Sequence, residues 1–161
     1  DVERSRGLGD VYKRQSRHDQ AVAPITSPGG PGRGRQLLFV DDDQSVRHAW
    51  SALLERKGWQ VTRSRDGEEA WAQFAQTGKH FDVVLTDQSM PRLDGVGLAQ
   101  RIRATESPPP VVLMSGHVDE VDAGLLKTLF AGVLHKPVEP GELDRVLQGL
   151  PLAEPMSVTQ Y

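Results

Sequence analysis

The chain has no cysteine, so neither a disulfide framework nor a thiolate metal centre is open to it. It has no apolar run near the roughly 18 residues that a membrane-spanning helix requires. The arginines near its start are not followed by an apolar segment, which argues against a secretory leader. No unit recurs at a period of about 20–50 residues, which argues against a solenoid. These absences fit a reducing cytosol. The expected location is cytoplasmic, with no membrane contact by this segment.

What is present is enough for one ordinary domain with tails: 161 residues, 37% of them hydrophobic. The net charge of -3 is unevenly spread. Residues 1–35 hold 7 Lys/Arg against 4 Asp/Glu, leaving 12 against 18 in residues 36–161. The part that can fold is therefore acidic, and a nucleic-acid-binding surface is not expected there.

Residues 1–35 are poor in large apolar side chains and end in a Gly/Pro-rich run, Pro28 to Gly34. They read as a tail and flexible linker. Within them, residues 10–15 (DVYKRQ) resemble the translated end of a transposon used in preparing sequencing libraries. They are read as an assembly scar, with native sequence resuming near Ser16. Residues 151–161 read as a polar, flexible tail.

Between these tails the pattern alternates. Leu37 to Val40 is a buried strand ending in Asp41, Asp42 and Asp43. Val46, Trp50, Leu53 and Leu54 recur at helical spacing, and Gly58 stops that helix. A short strand at Gln60 to Thr62 follows, then a turn at Asp66-Gly67. A helix marked by Ala70, Trp71, Phe74 and Ala75 should end near Gly78. Val83 to Leu85 is a strand buried on both faces, with Asp87 at its carboxyl end and a turn at Met90-Pro91. Asp94 is expected to cap a helix carrying Leu98, Ala99 and Ile102, which the prolines at 108–110 break. Val111 to Met114 is a fourth strand running into Ser115. Val121, Leu125, Leu126 and Leu129 mark a fourth helix, weakened by Gly124. Gly132 to Leu134 is a fifth strand followed by Lys136-Pro137, and Leu143, Val146, Leu147 and Leu150 mark a fifth helix. Strand and helix alternating five times predict a parallel sheet covered on both faces.

In such a sheet the carboxyl ends of the strands share one edge, where open α/β sheets hold their ligands. That edge would gather Asp41, Asp42, Asp87, Ser115 and Lys136. Clustered carboxylates at buried strand ends repel one another unless a cation joins them. A few hard oxygen ligands suit Mg²⁺ with several waters retained. A carboxylate nucleophile, a divalent cation, a hydroxyl and a lysine are together the parts that phosphoryl transfer uses.

With those residues in view, residues 36–150 resemble a response-regulator receiver domain of the CheY-like kind. The likeness rests on VDDD at 40–43, the D-x-x-M-P-x-x-D-G stretch from Asp87 to Gly95, MSG at 114–116 and KP at 136–137. It implies a flavodoxin-like (βα)5 sandwich with strand order 2-1-3-4-5. It further implies that Asp87 is the phosphoacceptor and that Mg²⁺ is held by Asp42 and Asp87, by Asp41 through a water, and by the backbone carbonyl of Ser89. Ser115 and Lys136 would contact the phosphoryl group, with a cis proline after the lysine. His117 stands where relatives tune the lifetime of the acyl phosphate. Val133 occupies a position where relatives often carry an aromatic switch residue, so coupling through a ring flip is not expected.

The implied partner is a sensor histidine kinase as phosphodonor, in the same parent chain or a separate one, with a histidine phosphotransfer protein or other effector downstream. The linker and the style of the fourth strand resemble the C-terminal receiver of a hybrid sensor kinase; a single-domain regulator is the other form. Such a module gains and loses phosphate itself rather than acting as a free-standing enzyme. Two further readings stand beside this one. Asp41-x-Asp43-x-Ser45 resembles the nucleophile motif of haloacid-dehalogenase-like phosphohydrolases, with Asp41 as nucleophile. A degenerate receiver acting only as a binding surface is the other. Asp43 itself reads as a helix cap, and His48, His80 and His135 as surface or loop residues.

Overall fold

The computed structural model describes residues 32, 34–76 and 80–152. The stretch at 10–15, most of the amino-terminal segment, Gly78 and residues 153–161 lie outside the described residues. The elements run β1 (Gln36–Val40), α1 (Gln44–Arg56), β2 (Gln60–Ser64), α2 (Gly67–Ala75), β3 (Val83–Asp87), α3 (Gly95–Arg103), β4 (Val111–Ser115), α4 (Ala123–Leu129), β5 (Gly132–His135) and α5 (Pro140–Gln148). All strand pairs are parallel, and the sheet order is β2-β1-β3-β4-β5.

Period-two alternation along each strand divides the core into two apolar layers. Leu38, Val40, Val84 and Leu113 pack on one face against Ala70, Leu98, Ala99 and Ile102 of α2 and α3. Leu37, Phe39, Val83, Leu85, Val112 and Met114 pack on the other against Leu54, Leu143 and Leu147 of α1 and α5. Val83, Val84 and Leu85 are wholly excluded from solvent, each such side chain stabilising the fold by about 1.5–3 kcal/mol. β3 is flanked by β1 and β4, so Asp87 emerges from the middle of the sheet rim.

The helix ends follow from specific residues. Asp43 caps α1, its Oδ1 accepting from the backbone N–H groups of Ser45 and Val46. That helix closes in a Schellman turn: Gly58 N donates to Glu55 O and Trp59 N to Leu54 O, and Gly58 takes the left-handed φ of 97° that the motif needs. Asp94 caps α3 as expected, accepting from Gly97 N. Asp66 does more than turn the chain, because its side chain caps α2 by accepting from Glu69 N.

Four expectations need correction, the first being Leu150, which lies past the end of α5 at Gln148. α3 ends at Arg103, ahead of the prolines, in a turn where the Thr105 hydroxyl bonds Ile102 O. β2 continues to Ser64. Val121 is not helical: Val118–Glu120 form a single 3-10 turn, and α4 begins after Asp122, whose Oδ1 accepts from Gly124 N and Leu125 N. Packing also reaches outside 36–150. Gly32 N donates to Lys57 O at 3.3 Å, and a Cβ on Gly32 would run into the Trp59 ring. Leu152 packs on the α1/α5 layer.

Candidate functional site

The carboxyl ends of β1, β3, β4 and β5 bring together the residues that the sequence singles out. Asp41 leaves β1 almost fully buried, at 1% exposure, and Asp87 ends β3 at 6%. Asp42 beside them is exposed. Asp41, Asp42 and Asp87 each offer a carboxylate oxygen, all within 4.8 Å of one another. Asp43, next in the chain, is committed to capping α1. That leaves the phosphohydrolase-like motif without its second carboxylate.

Lys136 crosses from the end of β5 into the acidic cluster. Its Nζ lies 3.0 Å from Asp87 Oδ1 and 3.4 Å from Asp41 Oδ2. The Lys136-Pro137 bond is cis. Lys136 N donates to Ser115 O at 2.9 Å, which fixes the lysine's origin against the end of β4. Ser115 is 3% exposed, and its Oγ accepts from His117 N at 3.0 Å. The hydroxyl proton thus remains to donate elsewhere. Ser89 lies exposed in the segment between β3 and α3, two residues past Asp87. Val133 is half-buried against the α2/α3 layer.

The electrostatics show a site built for added charge. Burial pushes the Asp41 carboxyl above the ordinary aspartate range. The Asp43 backbone N–H and Lys136 oppose that rise, and the neighbouring charge of Asp87 adds to it. Burial alone would lower the Lys136 ammonium; its hydrogen bond to Asp87 and the charges of Asp41 and Asp87 outweigh it and hold the group above the usual lysine value. One ammonium therefore faces three carboxylates, and a divalent cation would relieve the remaining repulsion. The donor set, a few hard oxygens at a half-open rim, fits Mg²⁺.

Sequence reasoning passed over three residues here. Arg47 reaches back from α1 to bond Asp41 O at 2.7 Å. The Thr86 hydroxyl donates to Asp87 O at 2.8 Å. Gln88 N donates to Asp87 Oδ1 at 2.9 Å. The first two hold the backbone of a charged residue and the third its carboxylate, and none leaves a periodic trace.

A doubly wound α/β sandwich in this strand order, with a carboxylate cluster and one lysine at the rim, is of the flavodoxin-like class that binds its ligand at the switch point between β1 and β3. The family model of the response regulator receiver domain matches residues 37–148. The chain belongs to that family, the receiver domains of two-component systems. It is 40% identical over 89 residues to the transcriptional regulatory protein CseB of Streptomyces coelicolor, a match covering 55% of this chain and 37% of that protein. The chain thus spans little more than a third of that relative.

Among solved structures it superposes on a response regulator receiver domain protein from Clostridium thermocellum with a TM-score of 0.65 and 28% identity, covering 70% of this chain and 90% of the other. It superposes on the receiver domain of the sensor histidine kinase PA1611 from Pseudomonas aeruginosa with a TM-score of 0.63 and 29% identity, covering 71% and 95%. That receiver was crystallised with a magnesium ion coordinated in its active-site cleft. The acidic cluster of the present chain fits a phosphoacceptor site of the same type.

Proposed function

We propose that this receiver takes a phosphoryl group onto Asp87 from the phosphohistidine of a sensor histidine kinase in the cytoplasm. Mg²⁺ would be held by Asp42 and Asp87, by Asp41 through a water, and by the Ser89 backbone carbonyl. The observation that carries this reading is Lys136 Nζ at 3.0 Å from Asp87 Oδ1, beside three carboxylates that share one small volume. When bound, the metal supplies positive charge to the transferring oxygens. An Asp87 oxygen forms the new bond to phosphorus as the phosphorus–nitrogen bond of the donor breaks, and the released imidazole nitrogen takes up a proton. Lys136 then pairs with the phosphoryl oxygens, drawn from its place between Asp41 and Asp87. Ser115 turns its proton to the same group, and that movement biases the fold between two surface states. With Val133 in place of a ring, the switch runs through Ser115 and Lys136.

A groove of about 470 Å³ lined by Val46, Trp50, Met114, Lys136, Pro137 and Val138 opens beside the lysine. It supports an approach of the phosphodonor over the α1 side of the rim. Incubation with acetyl phosphate, with and without Mg²⁺, followed by intact-mass measurement, tests the reading. The expected result is a single phosphoryl adduct that needs Mg²⁺, is lost in Asp87→Asn and is kept in Asp43→Asn. An adduct that survives Asp87→Asn would overturn it.

A further inference from the structure

Gln88 directly follows the acceptor aspartate and is tied down on two sides. Its backbone N–H lies between Met114 O on β4, at 3.1 Å, and Asp87 Oδ1, at 2.9 Å. Its backbone O accepts from Gly95 N at 3.0 Å. Its side chain reaches the same helix start: Oε1 accepts from Val96 N at 2.9 Å, and Nε2 donates to Asp94 Oδ2 at 3.3 Å.

The first N–H groups of a helix need external acceptors, and Asp94 already serves Gly97 N as an ordinary cap. Gln88 brings a second acceptor, from the end of β3, to the Val96 N–H that Asp94 does not serve. It joins α3 to the peptide that carries the acceptor's neighbouring N–H. The approach is close: a Cβ on Gly95 would come 2.6 Å from Asp87 O and 2.9 Å from Gln88 Oε1. Glycine at 95 is what lets the first turn of α3 lie against the acceptor backbone.

We infer that Gln88 is a positioning residue for phosphoryl transfer: its side chain clamps α3 to β3, so that its own N–H stays aimed at Asp87 Oδ1. That oxygen is the one Lys136 also contacts. Two fixed donors on one oxygen hold the carboxylate in a single rotamer, which removes reorganisation from the reaction.

The kinetic part of this inference rests on the phosphoacceptor reading above; the clamp itself does not. The test compares wild type, Gln88→Leu and the double variant Gln88→Glu/Asp94→Asn. The double variant exchanges donor and acceptor while keeping the charge, and asparagine remains a good cap. In metal-free protein, hydrogen exchange at the Val96 and residue-88 amides should speed up about tenfold in Gln88→Leu while Val84 and Leu85 stay protected. The double variant should restore it. With acetyl phosphate and saturating Mg²⁺, Gln88→Leu should slow phosphorylation about fivefold, the effect of losing one hydrogen bond of ordinary strength. Its Mg²⁺ dissociation constant, by calorimetry, should stay unchanged, and the double variant should recover the rate.

Unchanged Val96 exchange in Gln88→Leu overturns the clamp. Faster exchange with an unchanged phosphorylation rate overturns the positioning role. A wild type that takes up no phosphoryl group sinks the proposed function, and with it the positioning role, while the exchange data still decide the clamp. Should Gln88→Leu fail to fold, Gln88→Ala is read in the same way.

Discussion

At their amino ends β2, β3 and β5 are preceded by Trp59, Phe81 and Phe130, all nearly excluded from solvent. At their carboxyl ends β1, β3 and β4 run into Asp41, Asp87 and Ser115, which are just as deeply buried. The same sheet thus finishes in an apolar seal at one rim and in clustered carboxylates at the other. At the amino rim Gly32 packs on Trp59 and Lys57 pairs with Asp144 at 2.8 Å, while Trp59 Nε1 and Asp144 Oδ1 are buried with no hydrogen-bond partner among the described residues. At the carboxyl rim a single lysine is shared by two buried carboxylates, with a third beside them. Burial that stabilises at one end is held against stability at the other, the pattern expected where a site awaits a charged ligand.

Substitutions at the two rims should therefore separate stability from chemistry. The largest effect on folding should come from Trp59→Ala, which empties a buried pocket and costs about 3–5 kcal/mol in a urea titration. The folded fraction of that variant should still take up phosphate. Asp87→Asn should do the reverse, abolishing phosphate uptake while leaving the urea midpoint near that of wild type. If Trp59→Ala unfolds no more easily than Asp87→Asn, the contrast between the rims is wrong.

Titration offers a second contrast, read in EDTA. Burial raises the Asp41 carboxyl above its ordinary value of 3.8, so the folded protein holds that proton more tightly than the unfolded chain. The contribution of Asp41 to stability therefore falls as pH rises from 3.8 through the raised folded value. Asp66 has the opposite sign. Burial alone would raise it, but the Glu69 backbone N–H and the Arg92 guanidinium lower it. Its contribution is complete above 3.8 and is lost as pH falls through the depressed folded value. At neutral pH, Asp41→Asn should be more stable than wild type and Asp66→Asn less stable, both differences shrinking on acidification. Urea midpoints across the pH range check both, and an Asp41→Asn that is less stable at neutral pH contradicts the account. The smallest effect belongs to Lys57→Met at the amino rim. This partly exposed pair should be worth about 1 kcal/mol or less, with no effect on phosphate uptake.

Much of this contrast could be read in the sequence, and the parts that could not share a cause. The apolar runs at 37–40, 83–85 and 111–114 each became a strand with its polar residue at the predicted end, because a strand buried on both faces leaves a continuous hydrophobic signature. Asp43 and Asp94 were legible as caps because each stands just ahead of a periodic apolar run. Asp66 was not, since Asp-Gly marks a turn equally well. The start of α4 was misplaced because Val121 fits the apolar spacing, while Asp119, Glu120 and Asp122 all precede the helix and any could cap it. β2 ran longer than expected because it is an edge strand, with Gln60 and Arg63 exposed, and lacks the apolar run that marks a central one. Gln88 and Arg47 left no sign at all. Their work is done by hydrogen bonds to residues outside their own element, which only the folded chain brings within reach.

The central claim is that the charged rim uses one particular carboxylate as its nucleophile. Phosphorylating the protein from a phosphohistidine donor with Mg²⁺, reducing the acyl phosphate with borohydride and sequencing the peptides tests this directly. The account predicts that Asp87 alone is converted to homoserine. Conversion at Asp41 or at any other position, or none at all, would contradict it.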